Sequence, residues 1–323
     1  MRHWFTTICL ALPLWLTGCA NDLYFYPDRR DYEPQHPRPV PHEDVWIDST
    51  DGLRLHGWFL KAQGEPRATV VFLHGNAQNL TAHVLYVDWL PAAGYNVLIV
   101  DYRGYGRSPG RPSRQGLFED ARAAWFYALS RQDVDPQKMI LLGQSLGGAT
   151  ALSLAGREKL PGLRAVVAES AFSSFGGIGR EKLLEIPGAG YLLWPFSPLI
   201  ISGELSPAPV VDRISPVPLL LIHGSRDNIV RPSHSDRLYE TAKPPKLLWK
   251  LEDGQHTEAF GRFRFTTAPR LLKFFDYALS GDPQQLDPQD QAALRHEMPP
   301  APAPWRAPEI DAADRRTQHK KGR

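Results

Sequence analysis

The alternation of short apolar runs with longer segments of helical periodicity, between residues 43 and 280, constrains the fold of this chain more than any other feature. Runs of Val, Ile and Leu without regular polar positions are typical of strands covered on both faces of a sheet. They lie at residues 45–48, 53–60, 68–73, 95–100, 139–142, 165–168, 219–222 and 246–251. The helical segments lie near residues 79–90, 115–130, 146–155, 232–242 and 257–279. This order predicts an α/β fold, with a mostly parallel central sheet covered by helices on both faces.

Both cysteines of the chain, Cys9 and Cys19, lie within its first nineteen residues. Residues 43–280 therefore contain no thiol, which excludes a disulfide within this domain, a cysteine-ligated metal centre and a cysteine nucleophile. The net charge of +2 argues against the concentrated basic surface that nucleic-acid binding requires. We therefore expect no nucleic-acid partner.

The prolines of the chain are concentrated on either side of this domain, in residues 21–42 and 281–323. Pro-rich polar sequence favours an extended, semi-rigid spacer, so residues 19–42 are predicted to be a tether. Residues 281–323 combine Pro, Gln, Ala and charged residues, which predicts a disordered tail. Residues 43–280 are expected to form one domain with a large core.

The start of the chain has the pattern of an export signal. Arg2 supplies a positive charge, and the apolar run at residues 4–16 is shorter than the roughly 20 residues that span a bilayer. We therefore predict a signal peptide at residues 1–18 rather than a transmembrane helix.

The signal ends in Leu16-Thr17-Gly18-Cys19, which resembles the lipobox of bacterial lipoproteins. The resemblance implies diacylglyceryl attachment to Cys19, cleavage before it and acylation of the new amino terminus. Several acyl chains together would give a stable anchor. Ala20 follows the cysteine, and in that family this implies the outer membrane, facing the periplasm. The alternative is an ordinary secretory signal that is cleaved elsewhere.

A serine follows the apolar run at residues 139–142, in the segment Gly143-Gln144-Ser145-Leu146-Gly147-Gly148. This is a G-x-S-x-G pattern with a predicted strand before it and a predicted helix after it. Glycines are needed there because helix and strand nearly touch at such a sharp turn, which exposes the serine hydroxyl at the amino end of the helix. Ser145 is the predicted nucleophile.

A serine nucleophile needs a base to accept its proton and an acid to orient that base. In hydrolases with this turn the acid and then the histidine follow the serine at later strand ends. Asp227 follows the run at 219–222 and His256 follows the run at 246–251, so they are the predicted acid and base. Three other acids compete with Asp227 for this role, namely Glu169, Asp236 and Asp253. Two other histidines, His223 and His234, are expected to be structural or at the surface.

The strand at 68–73 leads into His74-Gly75-Asn76-Ala77. Two backbone N–H groups are expected to form an oxyanion hole, one from Leu146 and one from Asn76 or Ala77. His74 is expected to hold this loop by hydrogen bonds.

These motifs together resemble an α/β-hydrolase-fold serine hydrolase, and in particular the bud-emergence-type branch that also contains depalmitoylating abhydrolase-domain proteins. The resemblance covers residues 43–280 and implies esterase or thioesterase activity without a cofactor or metal. Gln255 departs from it, because many relatives have glycine before the histidine. The segments that carry the resemblance are His74-Gly75-Asn76-Ala77, Asp101-Tyr102-Arg103-Gly104-Tyr105-Gly106-Arg107-Ser108, Gly143-Gln144-Ser145-Leu146-Gly147-Gly148, Glu169-Ser170-Ala171-Phe172 and His223-Gly224-Ser225-Arg226-Asp227.

Residues 172–211 follow the strand that ends at Glu169, where this fold usually inserts a small cap. Its apolar residues, Trp194 among them, are expected either to cover the core as a lid or to line an acyl pocket. Arg103, Arg107 and Arg111 either brace neighbouring loops or bind an anionic group.

The sequence therefore predicts a lipid-anchored serine hydrolase of the bacterial cell envelope that cleaves carboxylic ester or thioester bonds through an acyl-serine intermediate. Its expected partners are a small-molecule or lipid ester and the membrane. A peptidase of the proline-iminopeptidase type uses the same residues and is an alternative. A non-catalytic envelope binding protein is another.

Overall fold

The computed structural model of the chain describes residues 25–186, 188 and 203–297. Eight strands in these residues form one sheet. They are β1 Glu43–Asp48, β2 Arg54–Leu60, β3 Ala68–Leu73, β4 Tyr95–Val100, β5 Met139–Gln144, β6 Leu163–Glu169, β7 Leu219–Gly224 and β8 Lys246–Leu251. Their order in the sheet is β1-β2-β4-β3-β5-β6-β7-β8. Strands β1 and β2 form an antiparallel hairpin, β2 is antiparallel to β4, and all later pairs are parallel.

Helices cover both faces of this sheet. Successive residues of β3 point in opposite directions, so that Val71 belongs to one core cluster and Val70 to the other. Trp125 of the helix Arg114–Ser130 lies in the first cluster, and Phe274 of the helix Arg264–Ser280 lies in the second. The predicted α/β fold is confirmed. The helices described are α1 Leu80–His83, α2 Arg114–Ser130, α3 Leu146–Arg157, α4 Phe175–Leu184, α5 Ser233–Thr241, α6 Arg264–Ser280 and α7 Pro288–Glu297.

Two predicted helices are shorter in the structure. The segment at 79–90 contains the single turn of α1, which continues as a 3-10 turn at Val84–Tyr86. The segment at 257–279 becomes helical only at Arg264. Thr257 has a φ of +56°, outside the right-handed helical region, and turns follow it up to the start of the helix. Residues 257–263 thus remain outside the helix and directly follow the predicted base His256.

The expected tether does not hold for residues 25–42, which lie against the domain. Phe25 is only 4% exposed and belongs to the first core cluster, and Val40 belongs to the second. Cys9, Cys19 and the predicted signal peptide lie outside the described residues.

The expected disordered tail does not hold for residues 283–297. Helix α7 packs against β8 and α6, since Asp290 accepts hydrogen bonds from Trp249 Nε1 (3.0 Å) and from Arg270 Nε (2.8 Å). Leu294 is buried in the second core cluster. The expectation failed because buried polar pairs hold this helix. Residues 298–323 lie outside the described part of the chain.

Residues between β6 and β7 form the predicted insertion, and its described part contains α4. Ser174 begins this helix, and its Oγ accepts a hydrogen bond from Gly177 N at 2.8 Å. The apolar residues of the predicted cap that lie outside the described residues include Trp194. Within residues 25–186, 188 and 203–297, no helix has both the length and the apolar character needed to cross a bilayer.

Candidate active site

Ser145 occupies the sharp turn between β5 and α3. Its backbone has a φ of +53° and a ψ of −114°, a strained conformation for a residue with a side chain. A Cβ at Gly143 would lie 2.3 Å from Gly147 O, and a Cβ at Gly147 would lie 2.0 Å from Leu73 O. Both positions therefore require glycine, and the turn leaves the Ser145 side chain at the carboxyl edge of the sheet.

The structure brings the three residues predicted as nucleophile, base and acid into one hydrogen-bonded series. His256 Nε2 lies 3.0 Å from Ser145 Oγ, and His256 Nδ1 lies 2.7 Å from Asp227 Oδ2. An ionised Asp227 accepts a hydrogen bond from Nδ1–H, so the proton of the neutral imidazole stays on Nδ1. Nε2 is then unprotonated and able to accept the proton of the serine hydroxyl. Asp227 and His256 reach this position from the loops that follow β7 and β8.

Asp227 is buried, and its carboxylate is nearly saturated with donors. Oδ1 accepts the backbone N–H groups of Ile229 and Val230, each at 2.9 Å. Burial raises the pKa of Asp227, but hydrogen bonds from His223 and His256 outweigh burial and leave that pKa well below its ordinary value. The Asp227 carboxylate is therefore ionised throughout the neutral range, as a residue that orients a base must be.

The competing acids take other partners. Asp236 pairs with Lys250 at 2.7 Å, and Asp253 pairs with Arg226 at 2.6 Å. Of the two other histidines, His223 Nε2 donates to Val230 O at 2.8 Å and lies 3.3 Å from Asp227 Oδ2, so it braces the acid loop. His234 Nδ1 accepts a hydrogen bond from Ser173 N at 3.1 Å.

Glu169 has a role that the sequence analysis did not identify. Its carboxylate accepts Ala259 N at 2.7 Å and Gln144 Nε2 at 3.0 Å, and its backbone oxygen accepts Ser145 N at 2.7 Å. Burial raises the pKa of Glu169, although these hydrogen bonds oppose the shift. The only sequence signal that could have indicated this role of Glu169 is a carboxylate at the end of an otherwise apolar strand. Glu169 therefore joins the serine turn to the loop that carries His256.

The loop after β3 faces Ser145 across one cavity, and Asn76 and Leu146 both line it. Leu146 is the first residue of α3, where backbone N–H groups have no acceptor within the helix. Asn76 Oδ1 accepts hydrogen bonds from Tyr26 N (2.9 Å) and Tyr105 Oη (2.7 Å). His74 Nδ1 donates to Gly75 O at 2.7 Å, in accordance with its expected role in this loop.

The cavity above Ser145 has a volume of about 400 Å³, which lies within the range of roughly 300–1,000 Å³ typical of small-molecule sites. Its walls are mainly apolar. One ion pair, Lys182 Nζ to Glu185 Oε1 at 2.9 Å, lies on α4 and the turn after it. The apolar side chains that line the cavity include Leu146, Phe172, Ile178, Ile229 and Val230.

Arg103 serves as a brace between loops. Its guanidinium contacts Asp120 at 2.7 Å and Asp51 at 2.5 Å. Arg107 pairs with Asp44 at 3.1 Å. Among the residues that the structure describes, no group of three or more His, Cys, Asp or Glu side chains is arranged to hold a metal ion.

The chain is similar to several known proteins. A family model described as serine aminopeptidase, S33, matches residues 64–178. The uncharacterised protein YfhR of Escherichia coli K12 is 41% identical over 245 residues, which cover 75% of this chain and 81% of YfhR. The α/β hydrolase domain-containing protein WAV2 of Arabidopsis thaliana is 32% identical over 68% of this chain and 73% of its own length.

The esterase Pf2001 of Pyrococcus furiosus shares the fold, with a TM-score of 0.63 at 24% identity over 78% of this chain and 97% of the esterase. The identities with YfhR and WAV2 extend over most of each of those proteins. The chain belongs to the α/β-hydrolase family that includes YfhR and WAV2, and it is a hydrolase of that type.

Proposed function

We propose that this protein is a serine hydrolase that cleaves carboxylic ester or thioester bonds through an acyl-serine intermediate. The observation that carries the proposal is the hydrogen-bonded series Ser145–His256–Asp227, which opens into a mainly apolar cavity. A nucleophile, a base within hydrogen-bond distance and an acid behind that base are the groups that acyl transfer requires.

In this mechanism Ser145 Oγ attacks the substrate carbonyl carbon while His256 Nε2 accepts the hydroxyl proton. The negative charge that develops on the carbonyl oxygen is stabilised by the backbone N–H groups of Asn76 and Leu146. His256 then donates its proton to the departing alcohol or thiol, which leaves an acyl group on Ser145. Water deprotonated by His256 attacks that acyl group, and the carboxylic acid and free Ser145 are released.

Asp227 orients His256 and stabilises the imidazolium that forms in each half of the reaction. Its depressed pKa supports this role, because a carboxylate that stays ionised keeps the Nδ1 proton of His256 in place. No step in this scheme requires a metal or an organic cofactor.

The apolar walls of the cavity favour an acyl group without charge as the part of the substrate bound there. The resemblance to the bud-emergence-type branch supports a lipid-linked acyl ester or thioester as the substrate class. The lipobox-like segment before Cys19 supports a lipid anchor in the bacterial envelope, which would place the enzyme beside such substrates.

A serine aminopeptidase is the second candidate, and the description of the matching family model favours it. A panel of p-nitrophenyl acetate, p-nitrophenyl butyrate, an acyl thioester and proline p-nitroanilide, assayed with the full chain, separates the two. We expect hydrolysis of the esters and thioester that is lost in Ser145→Ala. Faster turnover of the anilide than of the esters would establish the peptidase, and no turnover of any of them would favour a binding protein.

A further inference from the structure

The first residues that the structure describes, 25–36, lie along the loop formed by residues 74–81. We name residues 25–36 the N-terminal strap. We propose that the strap positions the oxyanion loop and that Tyr26 forms part of the substrate site. This inference rests on the proposed function, since it assigns the strap a part in that same reaction.

The strap is hydrogen-bonded to the loop at Asn76. Its Oδ1 accepts the backbone N–H of Tyr26 at 2.9 Å and the hydroxyl of Tyr105 at 2.7 Å. Two donors on one oxygen fix the direction of the Asn76 side chain and, through its Cα, the direction of the Asn76 peptide. Asn76 N–H is a proposed oxyanion donor, and such a donor is effective only when it is held in place before the charge develops.

The strap also holds the far end of the loop. Asn79 Nδ2 donates to the backbone oxygens of Asp28 (3.1 Å) and Arg30 (2.7 Å), and Tyr32 N donates to Thr81 Oγ1 at 3.0 Å. Asn79 in turn caps α1, where its Oδ1 accepts Thr81 N at 3.0 Å. The loop is therefore tied to the strap at both ends.

The loop between these ties needs such support. Ala77 and Gln78 have φ values of +61° and +54°, in the left-handed region that side chains disfavour. Strained backbone of this kind persists only where surrounding contacts hold it. The strap supplies those contacts from a part of the chain that is distant in sequence.

Tyr26 differs from its neighbour Phe25 in its exposure. Phe25 is buried in the core, whereas the Tyr26 residue is 56% exposed and lines the cavity together with Ser145 and His256. A substrate bound over Ser145 would therefore lie against Tyr26. Phe25 thus secures the strap, while Tyr26 contributes both a backbone donor and a binding surface.

Tyr26→Ala and Tyr26→Pro separate these two contributions, because both remove the ring but only proline also removes the N–H group. We expect Tyr26→Ala to raise KM for p-nitrophenyl butyrate several-fold. We expect Tyr26→Pro to lower kcat at least tenfold further, which is the readout for a misplaced oxyanion donor. The melting temperature of each variant reports whether the fold is retained.

A double-mutant cycle tests the same tie without proline. Tyr105→Phe should lower kcat in the wild-type background but cause no further loss in Asn76→Ala, because both act through one oxygen. Equal losses in the two backgrounds, or equal kcat values for Tyr26→Ala and Tyr26→Pro, would overturn the strap proposal. If the wild type shows no hydrolysis dependent on Ser145, the proposed function itself fails, and that outcome is distinguishable from the others.

Discussion

The carboxylate of Glu169 accepts the backbone N–H of Ala259 at 2.7 Å and so joins strand β6 to the loop that carries His256. The same side chain accepts Gln144 Nε2, next to Ser145. The neighbouring Ser170 Oγ accepts Thr257 N at 3.2 Å. The distance between the proposed base and nucleophile thus depends on a carboxylate that contacts neither of them.

Glu169→Ala is expected to lower kcat about tenfold with little change in KM, because His256 would no longer be held against Ser145. It would also leave two buried donors unsatisfied, at a cost of about 1–3 kcal/mol each in the free energy of unfolding. Steady-state kinetics and denaturant unfolding measure both effects.

Glu169→Gln places an amide N–H₂ against the N–H₂ of Gln144, so a partial loss of kcat is expected. The exchanged pair Gln144→Glu with Glu169→Gln restores one donor and one acceptor at that contact. Recovery of kcat in the exchanged pair above that of Glu169→Gln supports the positioning role. An unchanged kcat in Glu169→Ala would contradict it.

Asp227→Asn should lower kcat by about 10⁴, as expected when the acid behind a catalytic histidine is neutralised. The melting temperature of this variant controls for loss of fold, and Asp236→Asn is a matched control, since Asp236 pairs with Lys250 away from the cavity. Equal kcat values for the two variants would contradict the assignment of the acid.

Acid should destabilise the protein partly through Asp227. Its folded-state pKa lies well below the unfolded value, which is about 3.9 for an aspartate. The stabilisation is therefore fully present at pH values above the unfolded pKa and is lost as the pH falls toward the folded one. Unfolding free energies of wild type and Asp227→Asn between about pH 6 and pH 2.5 should converge as the pH falls. A constant difference between them would be contrary to this prediction.

Ile229 tests whether the apolar cavity binds the acyl chain. It lines the cavity and is 47% exposed, so Ile229→Ser should leave the fold intact while weakening the binding of long chains. A buried methylene contributes about 0.8 kcal/mol to the free energy of binding, which corresponds to a roughly fourfold change in affinity. The ratio of kcat/KM for p-nitrophenyl octanoate to that for the acetate should fall several-fold.

Phe265→Ser is the matched control, because Phe265 is 93% exposed and is not among the residues that line the cavity. It should leave that ratio unchanged. Equal losses of kcat/KM for the octanoate and the acetate in Ile229→Ser would mean that the acyl chain binds elsewhere.

The proposed anchor predicts that Cys19→Ser moves the protein from the membrane to the soluble fraction and abolishes incorporation of labelled palmitate. Cys9→Ser is the matched control, since Cys9 lies inside the predicted signal peptide. Palmitate labelling that survives Cys19→Ser would rule out this site of attachment.

The sheet and the candidate site at its carboxyl edge were predictable because the sequence patterns that indicate them are local. A buried parallel strand is a continuous apolar run, and Ser145, Asp227 and His256 each lie in the turn or loop that follows such a run. The serine turn was predictable for a steric reason, since Gly143 and Gly147 stand where any Cβ would meet backbone.

The elements that sequence did not predict are held by contacts between distant residues. Helix α4 contains several glycines, which are poor helix formers, and helix α7 buries little apart from Asp290 and Leu294. The strap is a Pro-rich segment whose packing depends on Asn76 and Asn79, some fifty positions away. The sequence indicates Glu169 only as a competing acid, because its partner, Ala259, is 90 positions distant.

Ser145 is the proposed nucleophile, and covalent labelling tests this role most directly. A fluorophosphonate probe should modify the wild-type full chain at Ser145, as identified by mass spectrometry of the peptide that contains it, with loss of esterase activity in proportion. Labelling should be absent in Ser145→Ala and strongly slowed in His256→Ala. Modification of Ser145→Ala at the wild-type rate, or esterase activity that persists in it, would contradict the account.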